Sequence, residues 1–163
     1  MATLACVLKV APTESGCCLR IEGQGTMRHS PTARDLAVRA FESGASVVVD
    51  LSACTYLDST FLGCLMELYR RYGKLQPPRY SLYGSTESLK RVLGPTHIDR
   101  LIPALPEAPP LGGPWVEVKS QALEKREQLQ HVLDCHRALA GVEGPMQAAF
   151  ARIAQQIEKE LEK

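Results

Sequence analysis

The sequence lacks any uninterrupted run of eighteen apolar residues, which excludes a helix of membrane-spanning length and composition. Its opening, "MATLACVLKVAPTESG", lacks a basic stretch followed by a long apolar core, so no obvious secretory signal is present. It also lacks an excess of charge of either sign: 19 basic against 18 acidic residues give a net charge of +1. Divided at Pro114, the balance is 12 basic to 10 acidic before and 7 to 8 after, so neither part presents a nucleic-acid surface by its balance alone. The densest positive cluster is Arg70, Arg71, Lys74 and Arg79, which falls at a helix end where cations complement the macrodipole. Six cysteines (Cys6, Cys17, Cys18, Cys54, Cys64 and Cys135) show no CxxC spacing, and most sit within apolar runs. They read as small hydrophobes in a reduced, cytoplasmic setting. No oriented base accompanies a hydroxyl or thiol nucleophile, and no paired carboxylates mark a cleft, so the sequence offers neither a catalytic constellation nor a cofactor site.

What is present is an alternation of strand and helix signals. Residues 4–10, starting at Leu4, and residues 17–23 read as a hairpin across "APTESG". "SPTARDLAVRAFESGA" follows with Ser30 as N-cap, Pro31 at the first helical position and Gly44 as a stop. "SVVVDLS" is a β-branched run suited to a strand buried on both faces. After Asp58, Phe61, Leu62, Leu65, Met66, Leu68, Tyr69 and Tyr72 keep helical spacing up to Gly73. "RYSLYG" reads as a strand, "STESLKRVLG" as a helix entered at Ser85 and left at Gly94, and "HIDRLIPAL" ends in an edge strand. The predicted order is β-β-α-β-α-β-α-β, an α/β fold. Residues 106–114, "PEAPPLGGP", form a linker or surface strap. Beyond it two apolar stripes predict a helical hairpin over residues 115–163. One comprises Ala122, Leu129, Val132, Leu133, His136, Leu139 and Ala140; the other Met146, Phe150, Ile153, Ile157 and Leu161. Such a hairpin caps the preceding domain or serves as a dimerisation or docking arm, and spacing leaves both open.

The segment "VVVDLSACTYLDSTFLGCLMELYRRYGK" places Asp58-Ser59-Thr60 between a core strand and a helix. It resembles the centre of the STAS domain of bacterial anti-sigma factor antagonists, in which a "DLS" strand leads through a loop to "DSSGLG" or "DSTGLG" and a helix. "VLGPTHIDRLIPAL" resembles a later segment of the same family. The resemblance covers about residues 3–105, a domain assigned to 1–105. It implies a sheet of four or five strands flanked by helices; the lack of a catalytic constellation separately leads to the expectation that the chain is not an enzyme. The resemblance also implies a serine at the helix start that a partner kinase phosphorylates. Residue by residue, that serine is Ser59, between Asp58 and the hydroxyl of Thr60, with Leu62 and Gly63 matching the pattern's last positions. Phe61 stands where the family has glycine, which puts a large side chain beside the switch.

The implied partners are an anti-sigma factor serine kinase, whose capture regulates transcription, and a serine phosphatase. The implied partner-binding residues are Asp58, Ser59, Thr60 and Phe61, with Gly25 and Thr26 of the "GQGTMR" loop on the same edge. A phosphate at a helix N-terminus meets unpaired N–H groups, while its charge of about −2 beside Asp58 repels a partner fitted to the neutral serine. Asp58 and Ser59 are equally the residue types that cap a helix with no regulation at all. An alternative role is a constitutive adaptor in a stressosome-like or lipid-transport complex, with Phe61 as an exposed anchor and the hairpin as a docking arm, or as the contact of a homo-oligomer. His131, Cys135 and His136 share a helix but find no second cluster, which speaks against a metal site.

Overall fold

Strand β1 (Val7–Pro12) turns into β2 (Gly16–Gly25) as an antiparallel hairpin, with Val7 opposite Glu22 and Pro12 opposite Cys17. The Thr13 hydroxyl accepts from the Gly16 amide at 3.1 Å and closes the turn. The computed structural model describes residues 5–163; the expected strand start at Leu4 and the expected domain start at residue 1 lie outside the described residues.

Helix α1 (Ser30–Glu42) then crosses to β3 (Ser46–Asp50), which runs parallel to β2. Four of the five β3 residues are buried, as an unbroken Val-rich run requires. A short strand, β4 (Cys54–Leu57), pairs with the far end of β2. Helix α2 (Ser59–Tyr72) leads to β5 (Tyr80–Tyr83), parallel to β3, and helix α3 (Thr86–Leu93) to β6 (Ala104–Leu105), parallel to β5. Ser85 caps α3 by accepting from the Ser88 amide at 3.1 Å, and Gly94 ends it, both as the sequence predicts.

The sheet has seven strands in the order β6-β5-β3-β2-β1-β7, with β4 off this path on β2. Among the described residues that is two more than the five strands of the predicted order. The additions are β4, whose central residues Thr55 and Tyr56 are both exposed, and β7 (Val116–Val118), which pairs antiparallel with β1. Both are too short to carry a readable two-residue period, and each owes its conformation to the strand beside it.

The Pro/Gly segment lies along the sheet, where the Gly112 amide donates to the Pro12 carbonyl at 2.8 Å. The chain from Trp115, expected to be helical, instead supplies β7, and the hairpin begins with α4 (Lys125–Ala140), followed by α5 (Gln147–Leu161). Ala122, expected on the apolar stripe, is exposed ahead of α4. Helix α4 packs on α2 and on α5. Cys135, Ala138, Leu139, Val142 and Phe150 join the same buried cluster as Ile21, Val49, Leu65 and Leu82. Helix α2 lies between the sheet and α4, and its residues Thr60, Phe61, Leu62, Gly63, Cys64, Leu65 and Met66 are all buried. A helix covered on nearly every side needs such a composition.

Candidate functional site at the start of α2

Asp58 organises this region. One carboxylate oxygen accepts from the Phe61 amide at 2.8 Å and caps α2; the other accepts from the Met27 amide at 2.7 Å and ties down the loop between β2 and α1. The Asp58 amide donates to the Gly25 carbonyl at 3.0 Å. Gly25, Thr26, Asp58, Ser59 and Thr60 are thereby brought to one edge. Thr26 is itself fixed, since its amide donates to Nδ1 of His29 at 3.1 Å. Burial holds the His29 imidazole below its ordinary pKa, in keeping with a ring nitrogen that accepts from an amide.

Phe61 corrects one expectation. Its side chain is 0% exposed and belongs to the core, so it offers no exposed anchor. The ring lies over Gly25, where an added Cβ would stand 2.9 Å from Phe61 Cδ2 and 2.6 Å from Leu57 Cδ2. A glycine at the end of β2 makes room for the large residue at position 61. Thr60 is buried as well, which leaves Asp58, Ser59 and Thr26 as the half-buried members of the group, with Met27 (40% exposed) and Tyr56 (51% exposed) beside them.

The Ser59 hydroxyl meets a group that sequence spacing does not associate with it. His136 of α4 places Nε2 3.0 Å from Ser59 Oγ, while its Nδ1 lies 2.8 Å from the Val132 carbonyl. A carbonyl only accepts, so Nδ1 carries a proton, and Nε2 is left to pair with the serine hydroxyl. One helical turn and a half earlier on α4, His131 makes a parallel contact: its Nε2 is 2.7 Å from the Oγ of Ser30. Ser30 is therefore no N-cap. It is the first residue of α1, fully buried, with its hydroxyl committed to α4. Burial, helped by the Arg34 guanidinium, pushes the His131 pKa down to about 4, so the ring is uncharged at neutral pH.

Helices α2 and α4 touch backbone to backbone. An added Cβ at Gly63 would lie 2.2 Å from the Cys135 carbonyl oxygen, so only glycine admits this approach. Hydrogen bonding with the Cys64 thiol and burial raise the Cys135 pKa, keeping that thiol protonated between the helices. His131, Cys135 and His136 are thus spent on packing and on serines, and no group of three His, Cys, Asp or Glu side chains among the described residues could hold a metal. No described helix is long and apolar enough to cross a membrane.

The arrangement of parallel β2-β3-β5-β6 with an antiparallel β1, and a hydroxyl-bearing turn into a buried helix, defines a STAS-type fold. It is shared with the crystal structure of an anti-sigma factor antagonist from Mycobacterium paratuberculosis, which superposes with a TM-score of 0.54 at 20% identity over 65% of this chain and 90% of that one. No curated protein matches the chain in sequence. The family model described as "Mlab, STAS domain" matches residues 8–100, more than half of the 163. The chain belongs to the STAS domain family. Helices α4 and α5 lie outside the matched residues.

Proposed function

We propose that the protein is a regulatory binding module of the anti-sigma factor antagonist type, which captures an anti-sigma factor kinase through the edge formed by residues 25–27 and 58–60 and so controls transcription. Ser59 is the residue the kinase phosphorylates, and a serine phosphatase resets it. The observation that carries this reading is the placement of the Ser59 hydroxyl in the first turn of a 14-residue helix, with Asp58 already occupying the cap. The helix end has amides and a positive macrodipole to receive a phosphate, while the adjoining carboxylate makes the added charge repel a partner fitted to the neutral form. Phosphorylation then changes the surface while the fold persists.

The test is intact mass of the protein purified from its native host, before and after phosphatase, with the modified peptide mapped. One phosphate on Ser59, lost on phosphatase treatment, is expected. A Ser59 that stays unmodified in growing and in stressed cells favours the second reading, a constitutive STAS adaptor in a stressosome-like or lipid-transport assembly. The observation behind that reading is the Ser59 hydroxyl's engagement by His136, which makes it a poor kinase substrate as it stands.

A further inference from the structure

The face of α2 that begins at Ser59 is occupied by part of the same chain. Besides the apolar side chains that α4 and α5 contribute to the core, four polar contacts hold the C-terminal segment across the N-terminal ends of α1 and α2. The Gln121 amide donates to Thr32 Oγ1 at 3.1 Å, and Gln128 Nε2 donates to the Met27 carbonyl at 2.9 Å. His131 meets Ser30 at 2.7 Å, and His136 meets Ser59 at 3.0 Å. Below them, the Gly63–Cys135 approach sets the helices at a separation that a single methyl group would break. The hairpin is joined to the sheet by residues 119–124, which form no regular structure and of which five are exposed. Within it, the Gln121 amide bond to Thr32 is, among the described residues, the one hydrogen bond the segment makes to α1, so its release frees the segment to act as the hinge. Two of the four contacts are made to the residues that fix the proposed docking edge: Met27, which Asp58 ties in place, and Ser59 itself.

We propose that the α4–α5 hairpin is an intramolecular stand-in for the binding partner, latched over the STAS face by the histidine–serine pairs, and that it must swing away before Ser59 can be bound or phosphorylated. This rests on the reading of the α2 edge as the docking site. It also specifies the partner. The element that replaces α4 is a helix with a small residue facing Gly63, as Cys135 does, so that the backbones meet, and with a hydrogen-bonding side chain at the next position, as His136 is, for the Ser59 hydroxyl. Phosphorylation of Ser59 acts on the same latch, because a phosphate does not fit within the 3.0 Å separation from His136.

Gly63→Ala is a wedge that tests the latch. Alanine is the better helix former, so α2 itself is not weakened, but its Cβ collides with the Cys135 backbone. Two readouts on the full chain need no partner. In hydrogen–deuterium exchange, amides of α4 and α5 are expected to exchange at least ~10-fold faster in the Gly63→Ala protein, while those of β2, β3 and β5 keep their rates, since cooperative units open separately. With Ser59→Cys in both backgrounds, alkylation of the thiol at position 59 by iodoacetamide, mapped by peptide mass, is expected to accelerate at least ~10-fold when the wedge is present. Equal alkylation rates in the two backgrounds overturn the proposal, as does loss of protection in the core strands together with the hairpin. If Gly63→Ala does not fold, His131→Ala/His136→Ala is judged by the same criteria. Because no kinase enters either assay, failure here is distinct from a failure to find phosphate on Ser59.

Discussion

The burial of Phe61 leads to a quantitative prediction that separates a core residue from a surface anchor. The ring is 0% exposed, and its edge stands 2.9 Å from where a Gly25 Cβ would be. Removing it in Phe61→Ala leaves a cavity under α2, and truncations of buried phenylalanine cost about 3–5 kcal/mol. Against a typical total of about 5–15 kcal/mol this is a large fraction. Gly25→Ala forces a methyl group into the same space and costs about 1–3 kcal/mol by overpacking. The two changes should compensate: with the ring gone, two of the three nearest atoms to the added methyl are removed and the remaining one is the flexible end of Leu57, so Gly25→Ala becomes cheaper by at least about 1 kcal/mol in the Phe61→Ala background. Urea unfolding of the four proteins, with unchanged m-values, closes the double-mutant cycle. A Phe61→Ala cost below about 1.5 kcal/mol, or additivity of the two changes within about 0.5 kcal/mol, would refute the packing argument.

Asp58→Ala removes both the cap of α2 and the tie to Met27, and should cost about 1–2 kcal/mol while raising amide exchange in residues 26–29. Arg34 and Glu67 join α1 to α2 through two bonds of 2.7 and 2.9 Å, so Arg34→Lys, which keeps the charge but loses the fork, should still lower stability in urea by about 1–2 kcal/mol. His131 has a pKa depressed to about 4 in the folded protein, so its stabilisation is complete above the ordinary value of 6.5 and declines as pH falls towards 4. The groups facing it are Ser30, Arg34, Glu67, Asp134 and Cys135. On the order of 3 kcal/mol is at stake across that window, and the fall in stability between pH 7 and 4.5 should be correspondingly smaller in His131→Gln.

Much of the fold is legible in the sequence because its signals are local. The Val-rich β3, the cap at Ser85, the stop at Gly94 and the apolar spacing after Asp58 each report on a few consecutive residues, and the structure follows them. What escapes is set by distant partners. Val116–Val118 is too short to announce a strand and becomes one because β1 offers an open edge. Ser30 has the look of a cap, yet a histidine 101 residues away takes its hydroxyl. Phe61 looks like an intrusion beside a switch until Gly25 is seen to make room for it. The sequence also places His136 on an apolar stripe without showing that its ring ends at Ser59. The signal that could have pointed there is Gly63, a glycine inside an otherwise strong helix, which marks a close backbone approach.

The central claim, that this protein meets its partner through the edge around Asp58 and Ser59, is tested most directly by site-specific photo-crosslinking in its native host. A photoreactive side chain is placed at Met27 or Tyr56, both exposed beside Ser59, or at Val116, 60% exposed on β7 at the far edge of the sheet. Capture of a serine kinase from positions 27 and 56, with none from 116, is the predicted result. Capture from position 116 alone, or the same products from all three positions, would contradict it.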